Sequence, residues 1–450
     1  MDKILGIGLA AGQGVRFRPL TLKAKGYLRA KAAVRFVGRR VLDWMVKILK
    51  CEGIDDYVLI TKGKENRYQI KNIVGYGEFL DVRIRYSPVR YDHENTGSGD
   101  ALITNLEHFD ITQTAFVFPT DSILDINLQE MLKCHLENNA VVTIAAARQP
   151  AELIAGRYGL IDSDEDGRVK GFIEKPTLGQ IYAKFGFQNG NSVDLPPLMT
   201  NAGFYMIDTK RLREIAKEPV CHKMRMQKLD IGGDLLPWLV AAGYPIHVCE
   251  IGRMGDLGNI NSYLNTMVDT LTGKFKSMKE LMSKLYNCQI GPLEGNMIDF
   301  ESLNLTDPIS NLTLEQKMEQ GLVKIIPPVR IGKYVQVYPG AVLQECNIDD
   351  DCEIFENCSV IRSSLGAGSI LGPHSYVEDT LTGIMVELHS TKEEPVEMRG
   401  YVAIGDEVVV RGGVKLSDGV TIHPRLKIPA GVRIPAHKEV ESAEMMLEFL

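Results

Sequence analysis

Two glycines, two arginines and a proline stand directly behind an apolar run near the start of the chain: "LAAGQGVRFRPLT", residues 9–21, continues from "KILGIGLA". Those residue types in that order suit an anion. Gly12 and Gly14 let backbone N–H groups approach a ligand and permit φ > 0. Successive N–H groups in such a turn form an anion-binding concavity. Arg16 and Arg18 can reach phosphate oxygens with forked, charge-assisted hydrogen bonds. The turn lacks the Gly-Lys-Ser/Thr of a P-loop. Val15 to Phe17 fill the place where a dinucleotide fingerprint needs its third glycine. A second turn, "FPTDS" (118–122), leaves another apolar run and carries Asp121, which taken alone suits a loop cap as well as a ligand.

The elements that position these turns alternate. "KILGIGLA", "DDYVLITK", "DVRIRYSP", "TAFVFPTDSI" and "AVVTIAAA" read as strands; "RRVLDWMVKILKCEG", "ENRYQIKNIVGYG" and "LQEMLKCHLENN" have helical apolar spacing. Strands separated by helices predict an α/β domain with a mostly parallel sheet and helices on both faces. In such sheets ligands bind beyond the carboxyl ends of strands, where both turns lie.

The order of motifs goes further. Residues 9–21 resemble the Leu-Ala-Ala-Gly-x-Gly-Thr-Arg-x-x-Pro-Leu-Thr opening of the sugar-phosphate nucleotidyltransferases, with Val15 in place of Thr. "RAKAAVRFVGRRVLDW" (29–44) is similar to the lysine-bearing second motif, in the form seen in glucose-1-phosphate adenylyltransferases. There follow, in the family's order, "TGSGDAL" (96–102), "FPTDS" (118–122), "RYGLIDSDEDGRVKGFIEKP" (157–176), "TNAGFYMID" (200–208) and "MGDLGNINSY" (254–263). The resemblance covers roughly residues 1–270. It implies a Rossmann-like, GT-A-type mixed sheet, and attack of a sugar 1-phosphate on the α-phosphorus of an NTP with release of pyrophosphate.

The same resemblance assigns roles. Leu9, Ala10 and Ala11 would bind the nucleotide, Gly12 and Gly14 cradle its triphosphate, Arg16 hold the outer phosphates, and Gly97 let the base approach the backbone. Lys31 would neutralise the reacting phosphates; Lys25 in "KAKGYL" is the alternative signature lysine. Asp121 and Asp256 would share a Mg²⁺ ion, Lys175 bind the sugar phosphate, and Gly159, Glu174 and Asn201 fix the sugar. "TGSGDAL" looks like guanylyl forms and "RAKAAVRF" like adenylyl forms, so the base stays open, with glucose 1-phosphate the default sugar.

From Val329 the period becomes six. Ile331, Val337 and Leu343 share a register; Ile348, Ile354 and Val360 follow after one residue drops out, with Cys346, Cys352 and Cys358 two positions ahead. A further shortened step leads to Leu365, Leu371 and Val377, and after an interruption at 380–400 come Ile404, Val410, Leu416, Ile422, Ile428 and Ile434. A six-residue aliphatic repeat predicts a left-handed parallel β-helix in which stacked coils bury a shared core. The cysteine spacing fits stacked core thiols better than a zinc site, which wants paired short spacings. The 380–400 segment is expected to expose apolar residues that pack on another subunit. The predicted division is 1–270 catalytic, 271–326 helical linker and 327–450 β-helix.

Composition sets outer bounds. The chain has 450 residues and a net charge of −7, which gives no support to nucleic-acid binding. No apolar run reaches membrane-spanning length and the start lacks a signal-peptide layout, so a cytoplasmic protein with reduced thiols is expected. The expected partners are an NTP and a sugar 1-phosphate, with a homo-oligomer formed through the β-helix. Two other functions remain open at this level: a catalytically silent sensor, and a bifunctional enzyme with added acetyl transfer, for which His374, His389 and His423 are the histidines at hand.

Overall fold

The computed structural model describes residues 3–12, 14, 17–21, 23–24, 27–185, 195–285 and 295–449. By its contacts the chain forms two compact units: residues 1–12, 45–120 and 124–254 in the first, and 13–44, 121–123 and 255–450 in the second.

The first unit is built on a nine-stranded sheet. In chain order the elements that matter to the site are β1 (Leu5–Leu9), α1 (Val41–Cys51), β2 (Asp56–Ile60), α2 (Lys64–Val74), β3 (Arg83–Tyr86), α3 (Ser98–His108), β4 (Ala115–Pro119), β5 (Ser122–Asp125), α4 (Leu128–Glu137), β6 (Val142–Gln149), β7 (Leu160–Ser163), β8 (Val169–Ile173), β9 (Leu198–Ile207), β10 (Ile246–Glu250) and β11 (Arg253–Asp256). The main path runs β8-β7-β9-β4-β1-β2-β3, and β6 adds to β9 and to β10. The block β4-β1-β2-β3 is parallel. Long β9 then enters antiparallel to β4 and carries the antiparallel β6 and β7. The sheet is therefore mixed.

Central strands read as near-continuous apolar runs because both of their faces are covered. In β4, "AFVFP", Ala115 and Val117 join Leu5, Ile7, Val58 and Ile60 in a core with Leu102 and Leu106 of α3. Phe116 and Phe118 are equally buried, Phe116 stacking on Phe204 at 6.1 Å and Phe118 meeting Tyr57 edge-on at 6.2 Å. Each such side chain contributes about 1.5–3 kcal/mol of burial.

The second unit contains the β-helix. Its strands pair in parallel at an offset of one coil: Ile331 with Ile348, Ile348 with Leu365, Val337 with Ile354, and Leu343 with Val360. The early coils repeat every 17 residues, as from Arg330 to Asn347, and later ones every 18, as from Glu397 to Lys415. The missing residue of the sequence pattern is thus a shortened coil. Nearly all aliphatic positions of the repeat lie in one continuous core together with Cys346, Cys352 and Cys358. Corners recur in a column at Tyr334, Asp351, Met385, Glu407 and Arg425, each with φ between 53° and 63°, because the chain turns there between faces.

Two features of this unit differ from expectation. Residues 380–400 do not present an apolar face: Val386, Leu388, Val396 and Met398 are buried in the β-helix core, and Met385 is the exposed large apolar side chain there. The interruption is a longer coil whose apolar residues still point inward. Parallel pairing also begins earlier than the hexad pattern, with Met297–Ile298 beside Arg330–Ile331 and Lys324–Ile326 beside Val342–Gln344. Ahead of it come α5 (Ile260–Leu271) and α6 (Lys276–Leu285).

Candidate active site

Within the second unit, the glycine turn meets the lysine-bearing segment. Gly14 has φ +67°, a left-handed conformation that favours glycine, and a Cβ there would fall 2.6 Å from Lys31 Cγ and 2.8 Å from Thr21 Oγ1. Lys31 opens a 3₁₀ turn, Lys31–Ala33, with Ala32 buried beneath it. Its Nζ forms an ion pair with Asp121. Asp121 directly precedes β5 and Asp256 closes β11, and β5 and β11 form a two-stranded sheet. Asp256 also shapes its own turn, accepting a hydrogen bond on Oδ1 from Gly258 N at 2.8 Å. The segment's apolar backing comes from Tyr263, which stacks on Phe17 at 5.7 Å, meets Phe36 edge-on at 5.3 Å and donates from its hydroxyl to Arg35 O at 2.8 Å. Arg16 and the alternative lysine, Lys25, lie outside the described residues.

In the first unit, Leu9, Ala10, Ala11 and Gly12 leave the end of β1. Ala10 N donates to Ile60 O at 2.8 Å, Asn66 Nδ2 donates to Ala10 O at 3.0 Å, and Thr120 Oγ1 donates to Leu9 O at 3.3 Å. A Cβ on Gly12 would meet nothing within 4 Å. Gly97 is a different case: a Cβ there would lie 2.4 Å from Leu229 O and 2.8 Å from Asp230 Oδ1. The turn before α3 is therefore pressed against the Leu229–Asp230 backbone, and Gly99 N and Asp100 N both donate to Leu229 O. Asp230 completes the clasp by accepting from Ser98 N at 3.2 Å.

The same unit gathers the four residues expected at the sugar. Asn201 N donates to Gly159 O at 2.8 Å, and the Asn201 side chain bridges Gly203 N and the Tyr205 hydroxyl, each at 2.9 Å. Glu174 Oε2 lies 3.0 Å from where a Gly159 Cβ would stand and 2.8 Å from the corresponding point on Gly232. Lys175, at φ +47°, turns back so that Nζ is 3.6 Å from Glu174 Oε1. Burial, reinforced by the Asp230 carboxylate, raises the Glu174 pKa above the usual range despite Lys175. An acid held partly against its will is suited to accept hydrogen bonds from hydroxyls.

A model of the nucleotidyl transferase family matches residues 5–273. The chain belongs to that family. It is 25% identical over 379 residues to a UTP–glucose-1-phosphate uridylyltransferase of Synechocystis sp., covering 81% of this chain and 84% of that one. It is 32% identical over 253 residues to a glucose-1-phosphate adenylyltransferase of Rhodococcus erythropolis, over 53% of this chain and 57% of that one. A glucose-1-phosphate adenylyltransferase of Nocardia farcinica is 27% identical over 388 residues, 84% and 82% of the two chains.

Within this family member, sequence reasoning missed Asn66, Asp230 and Gly232. "LDIGGDLL" held the one signal for the last two, a Gly-Gly pair opening a π-helical turn, Ile231–Leu235. The three β-helix histidines considered for acetyl transfer have local settings. His374 sits at a corner with φ +61°, His389 lies 2.8 Å from both Glu387 and Arg411, and His423 pairs with Glu439 at 2.8 Å. No helix among the described residues is long and apolar enough to cross a membrane.

Proposed function

We propose that the protein transfers a nucleotidyl group from an NTP to a sugar 1-phosphate, with glucose 1-phosphate the preferred acceptor. The observation that carries this is Lys31 paired with Asp121 beside the left-handed Gly14, inside a segment that the nucleotidyl transferase family matches. The names of the relatives support the sugar 1-phosphate.

In the proposed reaction a phosphate oxygen of the sugar attacks the α-phosphorus. The bond from that phosphorus to the β-bridging oxygen breaks, and pyrophosphate leaves with the electron pair. Two anions meet, so catalysis is positioning and charge stabilisation without a covalent nucleophile. Lys31 leaves Asp121 for the phosphates and offsets their charge as they approach. Arg16, Gly12 and Gly14 hold the triphosphate. Lys175 binds the sugar phosphate, while Glu174, Gly159 and Asn201 fix the hydroxyls; Glu174, already reluctant to stay ionised, gains from each hydroxyl that donates to it. Asp121 and Asp256 suit Mg²⁺, being hard oxygen donors at the ends of two paired strands. When bound, that ion would supply positive charge to the α-phosphate. The β-helix is proposed to join copies of the chain.

The test is pyrophosphate release from the full-length protein, with ATP, UTP, GTP, CTP and dTTP each offered against several hexose 1-phosphates. Release with glucose 1-phosphate and ATP or UTP, abolished by chelation and restored by Mg²⁺, is the expected result. Asp121→Asn should lower kcat by about 10²–10³-fold. Silence with every pair overturns the enzyme in favour of a sensor.

A further inference from the structure

The turn that carries Lys31 is held on both sides by arginines seated on the β-helix. Before it, Arg29 pairs with Asp406, whose side chain is 4% exposed. After it, Arg35 approaches Asp349, 2% exposed, with Nε 2.5 Å from Oδ2 and Nη2 donating to Oδ1 at 3.2 Å. Arg35 also lies 3.4 Å from Asp350. All of these residues belong to one compact unit.

The two aspartates are firm seats. Asp406 Oδ1 accepts from Ile384 N at 2.9 Å, over Gly383, where a Cβ would stand 2.2 Å from that oxygen. Asp349 is shared with the buried Arg330 at 3.4 Å. Between the anchors the backbone is compact: Ala33 N donates to Ala30 O at 2.9 Å, Val34 N to Lys31 O at 3.1 Å, and Ala32 and Val34 are buried. A lysine ends in four rotatable bonds, so its amine is placed only as well as the backbone that bears it. A single tether would leave the turn free to pivot; one on each side removes that freedom.

We infer that Arg29 and Arg35 are positioning residues for nucleotidyl transfer: clamped to Asp406 and Asp349 of the β-helix, they fix the backbone that aims Lys31. This rests on the catalytic role proposed above for Lys31. It gives the β-helix a part in the reaction through the placement of one turn.

The experiment uses the full-length protein and four variants: Asp406→Asn, Asp349→Asn, Arg35→Lys, and the exchanged pair Arg29→Asp with Asp406→Arg. Two quantities are followed, amide hydrogen exchange at Ala33 and Val34, and kcat and KM for pyrophosphate release. Each Asn variant is expected to speed exchange at those amides and to lower kcat about 10–100-fold, with KM for the sugar phosphate unchanged. Arg35→Lys, which keeps the charge without the guanidinium, should fall between them and the wild type. The exchanged pair should recover part of kcat. Unchanged exchange, or a kcat that falls only with the melting temperature and is not recovered by exchange of the pair, overturns the inference. If exchange rises in the variants while the wild type makes no pyrophosphate with any substrate pair, the clamp stands and the nucleotidyl transfer reading falls with its catalytic purpose.

Discussion

Glu174 shows how a residue suited to a ligand weakens the empty protein. Its carboxylate is pressed near the backbone of Gly159 and Gly232 and shares its surroundings with Asp230, so its pKa is raised. A carboxyl with a raised folded pKa favours folding below its unfolded value, and that benefit is lost as pH rises through the folded one. At neutral pH ionised Glu174 therefore costs stability. Glu174→Gln should raise the melting temperature at pH 7.5 while raising KM for the sugar phosphate, measured by thermal unfolding and by steady-state pyrophosphate release. A variant that melts lower at that pH would show that the Lys175 pairing outweighs burial. Lys31 and Asp121 tell a related story, since each serves as the other's counter-charge where a phosphate and a metal are proposed to come.

The β-helix coils set the chemistry of their cysteines. Cys346, Cys352 and Cys358 point into the core, and burial pushes the last two thiols up to about 12 and Cys346 higher still. Their sulfurs are covered on the protein side: Cys352 Sγ lies 3.3 Å from Gly366 O and Cys358 Sγ 3.2 Å from Gly372 O. In the sheet unit, Cys134 on α4 behaves oppositely. Hydrogen bonding with the neighbouring Cys249 thiol lowers its pKa from the ordinary thiol value. Iodoacetamide at pH 7.5 should thus modify Cys134 in the folded protein and leave the three coil cysteines untouched until denaturant is added, as read by peptide mass spectrometry. Early labelling of Cys352 would mean that the coil opens locally.

At the scale of the whole molecule, a buried histidine outside the proposed chemistry contributes to acid sensitivity. His135, 2% exposed, shares a hydrogen bond of 2.9 Å with Thr143, and both are walled in by α4 and β6. Burial, aided by the nearby Arg211 and His247 and opposed by Asp208, pulls its pKa to about 4. The unfolded chain takes up this proton near pH 6.5 and the folded one only near 4, so stability is full above the first value and declines as pH falls through the window. The loss reaches on the order of 3 kcal/mol. His135→Gln should flatten the decline between those two pH values in urea unfolding; an unaltered pH slope would place the acid sensitivity elsewhere.

What was legible in the sequence was local. The strand runs, the αβ alternation and the six-residue register all follow from periodicities of a few residues, and the described strands and buried columns follow them closely. The motifs around Asp121 and Asp256 were visible for the same reason. One local reading failed where burial was decided at a distance. The apolar residues of 380–400 looked available to a partner, but the coils above and below them supply the cover. Gly97, expected where a base approaches the backbone, also packs against the Leu229 backbone, a neighbour that no nearby residue announces. The clamps from Arg29 to Asp406 and from Arg35 to Asp349 join positions 377 and 314 residues apart. Short-range spacing decides which way a side chain faces along its own strand or helix; which distant chain it then meets is settled only when the whole core closes.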